Sequence, residues 1–300
     1  MKIVQLSGGV GGARLARGFA SIEAVELVVV VNVGDDAENH GLAVSPDIDT
    51  VIYTLAGEEG PYGWGRRGDT FRFNDELARF GADNTFRLGD LDLALKVHRT
   101  AELSRGVPLS EVTRSSAKSF HLGARVVPAT DQRLRTMVLT DAGWLTFQHY
   151  FVDRRHADDV SAVRFDGSED AHPAPGVLEG IRSADLVVIG PSNPPLSIWP
   201  ILAVPGIRKA VEQHPSVTAV SPLIGGQTVR GPADRVMVGL GLPPGNAGVA
   251  AAYDGLIDRL YVDRSDGDQA EGIQVEVVIA DTLITDPDAS RRLAEEIIGR

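Results

Sequence analysis

The chain predicts an α/β fold of Rossmann-like type, a mostly parallel sheet with helices on both faces. Three observations carry this. The runs Leu27-Val28-Val29-Val30-Val31 and Leu186-Val187-Val188-Ile189 are continuously apolar, as in strands covered on both faces. Strand-like runs alternate with segments of helical period towards both ends of the chain. A loop with four glycines in five residues, Gly8 to Gly12, stands between the first strand-like run and the first helical one.

Strands are expected at 2–6, 26–32, 135–140, 145–152, 185–190, 217–220 and 274–280. Helical period appears at 12–20, 47–56, 74–80, 90–105, 109–118, 175–183, 205–213, 247–258 and 287–298. Pro205 and Pro287 stand near the starts of two of these helices, where a missing N–H is tolerated. The middle of the chain differs. A Gly/Arg-rich loop from Gly60 to Gly68 leads into two helical stretches and a β-meander expected over 124–165. The organisation expected is a nucleotide- or diphosphate-binding core from 1–60 and 175–300, with 61–174 as an inserted α+β lid. The acidic stretch at 263–271 reads as a solvated hairpin turn.

The 300 residues suffice for a well-buried core. With 41 acids against 29 bases, the net charge of −12 argues against general nucleic-acid or acidic-membrane binding. No apolar run approaches the roughly 20 residues of a membrane span. The absence of cysteine removes disulfides, thiolate nucleophiles and Cys-ligated zinc. With a strand pattern at the first residues and no basic-then-apolar leader, a cytoplasmic protein is expected.

Loops leaving the carboxyl ends of neighbouring parallel strands share one crevice. The loop Ser7-Gly8-Gly9-Val10-Gly11-Gly12-Ala13-Arg14 can bring backbone N–H groups close to an anion at a helix N-terminus. It is neither a Walker A loop nor a full dinucleotide fingerprint, because Arg14 takes the place of the third glycine. A cation in the first helical turn opposes the helix dipole unless it faces a bound anion. The next loop, Asn32-Val33-Gly34-Asp35-Asp36, has doubled acids past a glycine. That suits a hard cation that keeps some water, as Mg²⁺ does, better than a single ribose-binding acid. In Pro46-Asp47-Ile48-Asp49-Thr50, Asp47 reads as an N-cap and Asp49 as pointing to the crevice. The loops Gly190-Pro191-Ser192-Asn193-Pro194-Pro195 and Ser221-Pro222-Leu223-Ile224-Gly225-Gly226 follow later strands, the second leading to Arg230-Gly231-Pro232-Ala233-Asp234. Tyr62-Gly63-Trp64-Gly65-Arg66-Arg67 pairs an aromatic platform with cations.

The glycine loop Gly8 to Arg14, Asn32 to Asp36, Pro46 to Thr50, Gly63-Trp64-Gly65, Pro191-Ser192-Asn193-Pro194 and Ala203-Val204-Pro205-Gly206-Ile207-Arg208 closely resemble the CofD/FbiA family in order along nearly the whole chain. The resemblance implies a Mg²⁺-dependent transferase of coenzyme F-420 biosynthesis, usually a homodimer. Such an enzyme moves a phospho-acid, phosphoenolpyruvate or 2-phospho-L-lactate, from its guanosine diphosphate ester to a ribityl hydroxyl of the deazaflavin Fo, and releases GMP. It implies that Gly9, Gly11, Gly12 and Arg14 approach the diphosphate. Asp35, Asp36 and Asp49 become the metal ligands, and Asp35 and Asp49 also orient or deprotonate the nucleophile. Asn32 joins the substrate-binding residues, Ser192, Asn193, Gly225 and Gly226 hold the guanosine part, and Trp64 stacks on the deazaflavin. Asp35→Asn and Asp49→Asn are each expected to cut turnover by orders of magnitude and leave the fold intact. One position departs from the family pattern. In Leu88-Gly89-Asp90-Leu91-Asp92-Leu93, Leu91 stands where members commonly carry a basic residue that contacts Fo, with Arg87 and Lys96 as nearby substitutes. The alternative reading is a CofD-like regulator that binds a nucleotide sugar without catalysis; a nicotinamide-dependent dehydrogenase is a third.

Overall fold

Seven short strands build the main sheet: β1 (Lys2–Ser7), β2 (Glu26–Val31), β3 (Arg125–Pro128), β4 (Leu186–Ile189), β5 (Val217–Val220), β6 (Arg259–Asp263) and β7 (Glu276–Ala280). In the computed structural model, which describes residues 1–270 and 272–299 (268–270 in backbone only), their order is β7-β6-β5-β4-β1-β2-β3. Every pairing in it is parallel. The chain therefore winds outward in two directions from β1 and β4, and the switch point between those strands opens a crevice at their carboxyl ends. The interior of the sheet is apolar without alternation, with all four residues of β4 and of β5 buried.

The first five helices are α1 (Gly9–Ala20), α2 (Pro46–Leu55), α3 (Arg72–Arg79), α4 (Asp90–Ser104) and α5 (Leu109–Ser119), the last three within the expected insertion. Helix α1 packs between α2 and the helix Pro287–Ile298, while Val177–Ser183 packs against Ile207–Glu212 and β1. At Gly18 a Cβ would lie 2.1 Å from the Ser290 carbonyl oxygen, so only glycine allows α1 and the last helix to approach this closely.

A separate antiparallel sheet has Arg135–Thr140 at its centre, flanked by Gly143–Thr146 and Ala162–Asp166. Its apolar side forms a second, smaller core in which Val138, Tyr150 and Val160 meet Leu196 and Val236. The layer is thus anchored on segments beside the crevice.

Several sequence expectations change. The strand at 125–128, expected within a β-meander, instead extends the main sheet beside β2. The expected strand at 145–152 stops at Thr146 and gives way to a wide helical turn, His149–Asp153. The helix expected over 247–258 is Asn246–Ala252, and β6 follows where no strand was expected. The acidic stretch at 263–271 is not a hairpin. Its described part is a 3-10 segment, Arg264–Ala270, linking two parallel strands, and Glu271 lies outside the described residues.

Candidate active site

A cavity of about 780 Å³ lies over the carboxyl ends of the main-sheet strands. That is room for two sizeable ligand parts, since pockets for one small molecule begin near ~300 Å³. Its walls come from the loops after β1, β2, β4, β5 and β7, from α2 and α4, and from the small antiparallel layer.

The glycine loop forms one wall. Gly8 and Gly9 open α1, and Gly9 has a φ of +63°, open to glycine at no steric cost. A Cβ on Gly11 would meet the Pro191 carbonyl oxygen at 2.3 Å, so the loops after β1 and β4 are in direct contact. Ser192 ties them together. Its Oγ donates to the Gly8 carbonyl (2.7 Å) and accepts from the Gly8 N–H (3.1 Å). The serine expected to hold guanosine thus has a structural bond to the glycine loop. Asn193 lines the cavity and caps the following turn, its Oδ1 accepting from Leu196 N–H at 3.2 Å.

Beside it stands a cluster of buried carboxylates. Asp47 accepts from Gly9 N–H (2.7 Å) and from Asn32 Nδ2 (2.9 Å), and Asn32 Oδ1 in turn accepts from Gly34 N–H (2.7 Å). Asp35 lines the cavity with its Oδ1 buried and unpartnered. Asp36 lies behind, bonded through Oδ2 to Ser45 Oγ (2.8 Å), its Oδ1 also unpartnered. Burial, then the charge on Asp47, raises the Asp35 carboxyl well above the usual range. Burial likewise pushes Asp36 up to about 7 and Asp47 up to about 6. The cluster holds more negative charge than its surroundings balance.

Asp49 behaves in the opposite way. It is paired with Arg99, whose Nη1 donates to Oδ2 at 3.1 Å, and with Lys96 at 2.7 Å. Lys96 also pairs with Asp92, which accepts from the Tyr53 hydroxyl at 2.6 Å. Burial alone would raise Asp49, but the Arg99 and Lys96 charges outweigh it and hold the carboxyl below its usual range. Asp47, expected as an N-cap, instead bonds the glycine loop, while Asp49 lines the cavity as expected but is already paired with Arg99 and Lys96. Two residues apart on a helix lie about 200° apart around its axis. Asp47 faces the glycine loop and Asp49 faces α4, so Asp47, not Asp49, is the carboxylate beside Asp35.

The remaining expected residues divide. Arg14 and Trp64 line the cavity, but Arg14 is bonded to Glu59 (Nε to Oε1, 3.0 Å) and to the Ile284 carbonyl (3.2 Å). Trp64 is half exposed and stacks on Tyr62, ring centroids 5.6 Å apart. Gly12 packs behind the wall, where a Cβ would meet Ser7 Oγ at 2.3 Å. Gly225 and Gly226 form the turn of a small hairpin, Leu223–Ile224 with Gln227–Thr228, and it is Ile224 and Thr228 that reach the cavity. Leu91 is 45% exposed at the start of α4, whereas Leu88, Arg87 and Lys96 line the cavity. The departure at Leu91 therefore lies off the cavity wall.

Sequence reasoning overlooked the lid residues Phe147, Gln148 and Phe151 and the segment Thr282–Ile284. Gln148 Nε2 donates to the Asp35 backbone carbonyl at 2.7 Å, joining the lid to the acidic loop. No motif marks these positions, which the antiparallel layer brings over the crevice.

The family model described as "2-phospho-L-lactate transferase CofD" matches residues 3–296. The chain belongs to the CofD family. A Streptomyces griseus protein named phosphoenolpyruvate transferase is 41% identical to it, covering 99% of this chain and 98% of that one. A Methanopyrus kandleri protein named 2-phospho-L-lactate transferase is 42% identical, covering 99% and 97%. The crystal structure of protein BH3568 from Bacillus halodurans superposes with a TM-score of 0.70 over 99% of this chain and 98% of that one. At 19% identity it speaks to the fold alone. In this member of the family the glycine loop and the acidic loop stand side by side, bridged by Asp47. Among its described residues no helix is long and apolar enough to cross a membrane.

Proposed function

We propose that this protein transfers a phospho-acid, phosphoenolpyruvate or 2-phospho-L-lactate, from its guanosine diphosphate ester to a ribityl hydroxyl of the deazaflavin Fo, releasing GMP. The observation that carries this reading is the glycine loop and the uncompensated Asp35–Asp47 pair standing side by side on the wall of one large cavity. The first supplies donors for phosphate and the second calls for a cation.

The residues present fit Mg²⁺. Asp35 and Asp36 each keep an unpartnered buried oxygen, a costly state for a carboxylate unless charge arrives to balance it. Among the described residues no three His, Asp or Glu side chains form a metal-holding group. Mg²⁺ needs fewer, since it is usually held by one or two carboxylates together with waters and substrate phosphates. Asp35 and Asp47 would hold it, with Asp36 adding negative charge from behind. Bound there, the ion supplies neutralisation of phosphate charge.

The chain's own residues do the rest. The first N–H groups of α1 after Gly9 have no intrahelical partner and face the diphosphate. The hydroxyl oxygen of Fo attacks the phosphorus that carries the acid. The bridging P–O bond breaks, and GMP leaves with the electron pair. The hydroxyl proton passes to the free Oδ1 of Asp35. Such transfer is chiefly positioning and charge neutralisation, so a strong base is not required. Asp49, already neutralised, holds α2 against α4 so that the wall bearing Lys96 and Arg87 keeps its place. Trp64 offers a flat apolar face to the deazaflavin.

The relatives near 40% identity over almost the whole chain bear transferase names, which favours this reading over a nucleotide-sugar-binding regulator. The test is to mix the purified protein with Mg²⁺, Fo and each guanosine diphosphate ester in turn. Mass spectrometry should find GMP and a deazaflavin phosphodiester with one donor. No product from any phospho-acid donor, together with tight nucleotide-sugar binding, would overturn it. Competition between donors names the acid.

A further inference from the structure

Four cations line the cavity: Arg14, Arg87, Lys96 and Arg230. Arg14 pairs with Glu59, Arg87 with Asp75, and Lys96 with Asp49 and Asp92. Arg230 is the exception: among the described residues it forms no ion pair, and its one recorded bond is Nη1–H to the Tyr62 carbonyl. A cation left without a carboxylate on the wall of an anion-binding cavity retains its charge for a ligand.

Its position adds to this. Gly63, with a φ of +82°, passes so close that a Cβ there would lie 2.5 Å from Arg230 Nη1 and 2.9 Å from Val10 Cγ1. The guanidinium, the backbone of the Gly60–Gly68 loop and the first turn of α1 therefore meet at one point. The charge of Arg230 and the Val10 side chain in the first turn of α1 thus lie beside the backbone that carries Tyr62 and Trp64. A guanidinium has five N–H donors in a planar fork. One can serve a carbonyl while others serve a phosphate, which a lysine ammonium does less well.

We propose that Arg230 binds a phosphate of the donor's diphosphate while holding the Tyr62–Trp64 loop through the Tyr62 carbonyl, so that anion binding and closure of the aromatic loop are one event. This rests on the reading of the site as a diphosphate-ester site, and it assigns one residue to grip that diphosphate and place the aromatic rim.

The experiment measures binding of GDP and of inorganic pyrophosphate, both with Mg²⁺, to the whole protein and to Arg230→Ala and Arg230→Lys. In parallel, trypsin reports the loop by cleavage after Arg67, which is exposed. Arg230 is itself exposed, so the variants should unfold at the wild-type temperature. Arg230→Ala should weaken both anions about ten- to a hundredfold, the usual effect of losing a charged hydrogen bond. Saturating GDP should slow loop cleavage in the wild type and fail to do so in Arg230→Ala. Arg230→Lys should recover part of the affinity without the protection.

Unchanged affinity in Arg230→Ala overturns the proposal, as does equal protection of its loop by saturating GDP. Full recovery of both by Arg230→Lys overturns the shared guanidinium, and a wild type that binds neither anion overturns the whole inference. The guanosine reading fails separately, if GDP binds no tighter than pyrophosphate while both still depend on Arg230.

Discussion

Asp47 and Asp49 sit in the same helical turn, are both buried, and have opposite electrostatic fates. Asp47 joins Asp35 and Asp36 in a group whose carboxyls are pushed up, while Asp49 is held down by Arg99 and Lys96. The difference teaches that a buried acid is defined by what arrives opposite it. Both Asp49 and Asp35 line the cavity, but Asp49 is ion-paired with two cations of α4, whereas Asp35 has no ion pair among the described residues. The first group is complete within the chain and serves the architecture. On the proposed reading, the second is completed by a bound cation.

Four substitutions would break or sharpen this contrast, and the largest effect belongs to the compensated side. Arg99→Met leaves Asp49 with Lys96 alone in a buried site, and removing one partner of a buried pair costs about 3–5 kcal/mol. Urea unfolding should show that loss. Asp49→Asn should likewise lower stability, against the sequence expectation of an intact fold, because it strands Arg99 instead. If either variant unfolds at the wild-type midpoint, Asp49 does not serve as an architectural anchor.

Next comes Asp35→Asn, which should keep or slightly raise the stability of the Mg²⁺-free protein while lowering kcat/KM about a hundred- to a thousandfold, as for groups acting on developing charge. Steady-state kinetics beside thermal unfolding separates the two effects. A destabilised variant with near-normal turnover would reverse the assignment of the two groups.

The smallest effect is the pH dependence of Asp36. Its folded carboxyl is raised to about 7, above the ordinary carboxylate value of about 3.9. The folded state therefore binds this proton more tightly than the unfolded state. The stability that follows is present at low pH and is lost as pH rises from about 4 through about 7. Asp36→Asn should match the wild type below pH 4 and become relatively more stable by pH 8, with Mg²⁺ chelated throughout. A constant gap between their melting temperatures across that range would show that Asp36 is not raised.

Much of this was legible in the sequence. Continuous apolar runs marked β2 and β4, and the glycine and acidic loops followed strands, so the switch-point crevice could be foreseen. What escaped has physical reasons. In β6 only Leu260-Tyr261-Val262 is apolar, framed by Arg259 and Asp263, and the helical pattern before it runs through Leu256-Ile257. Strand β3 is an edge strand next in sequence to an antiparallel layer, and only pairing with β2 reveals its sheet. The bond from Arg99 to Asp49 joins residues 50 positions apart, beyond any local pattern. The different facing of Asp47 and Asp49 was within reach, because helical geometry alone sets them on opposite sides once Pro46 opens α2.

The paired bonds of Ser192 to Gly8 have a mechanical consequence. One hydroxyl, engaged on both sides by a single residue, makes the loops of the two sheet halves a fixed jaw. Breathing of the cleft then falls to the opposite side, to the Tyr62–Trp64 loop and the Phe147–Phe151 edge. On the proposed reading, reactants and products cross that rim while the glycine wall stays still.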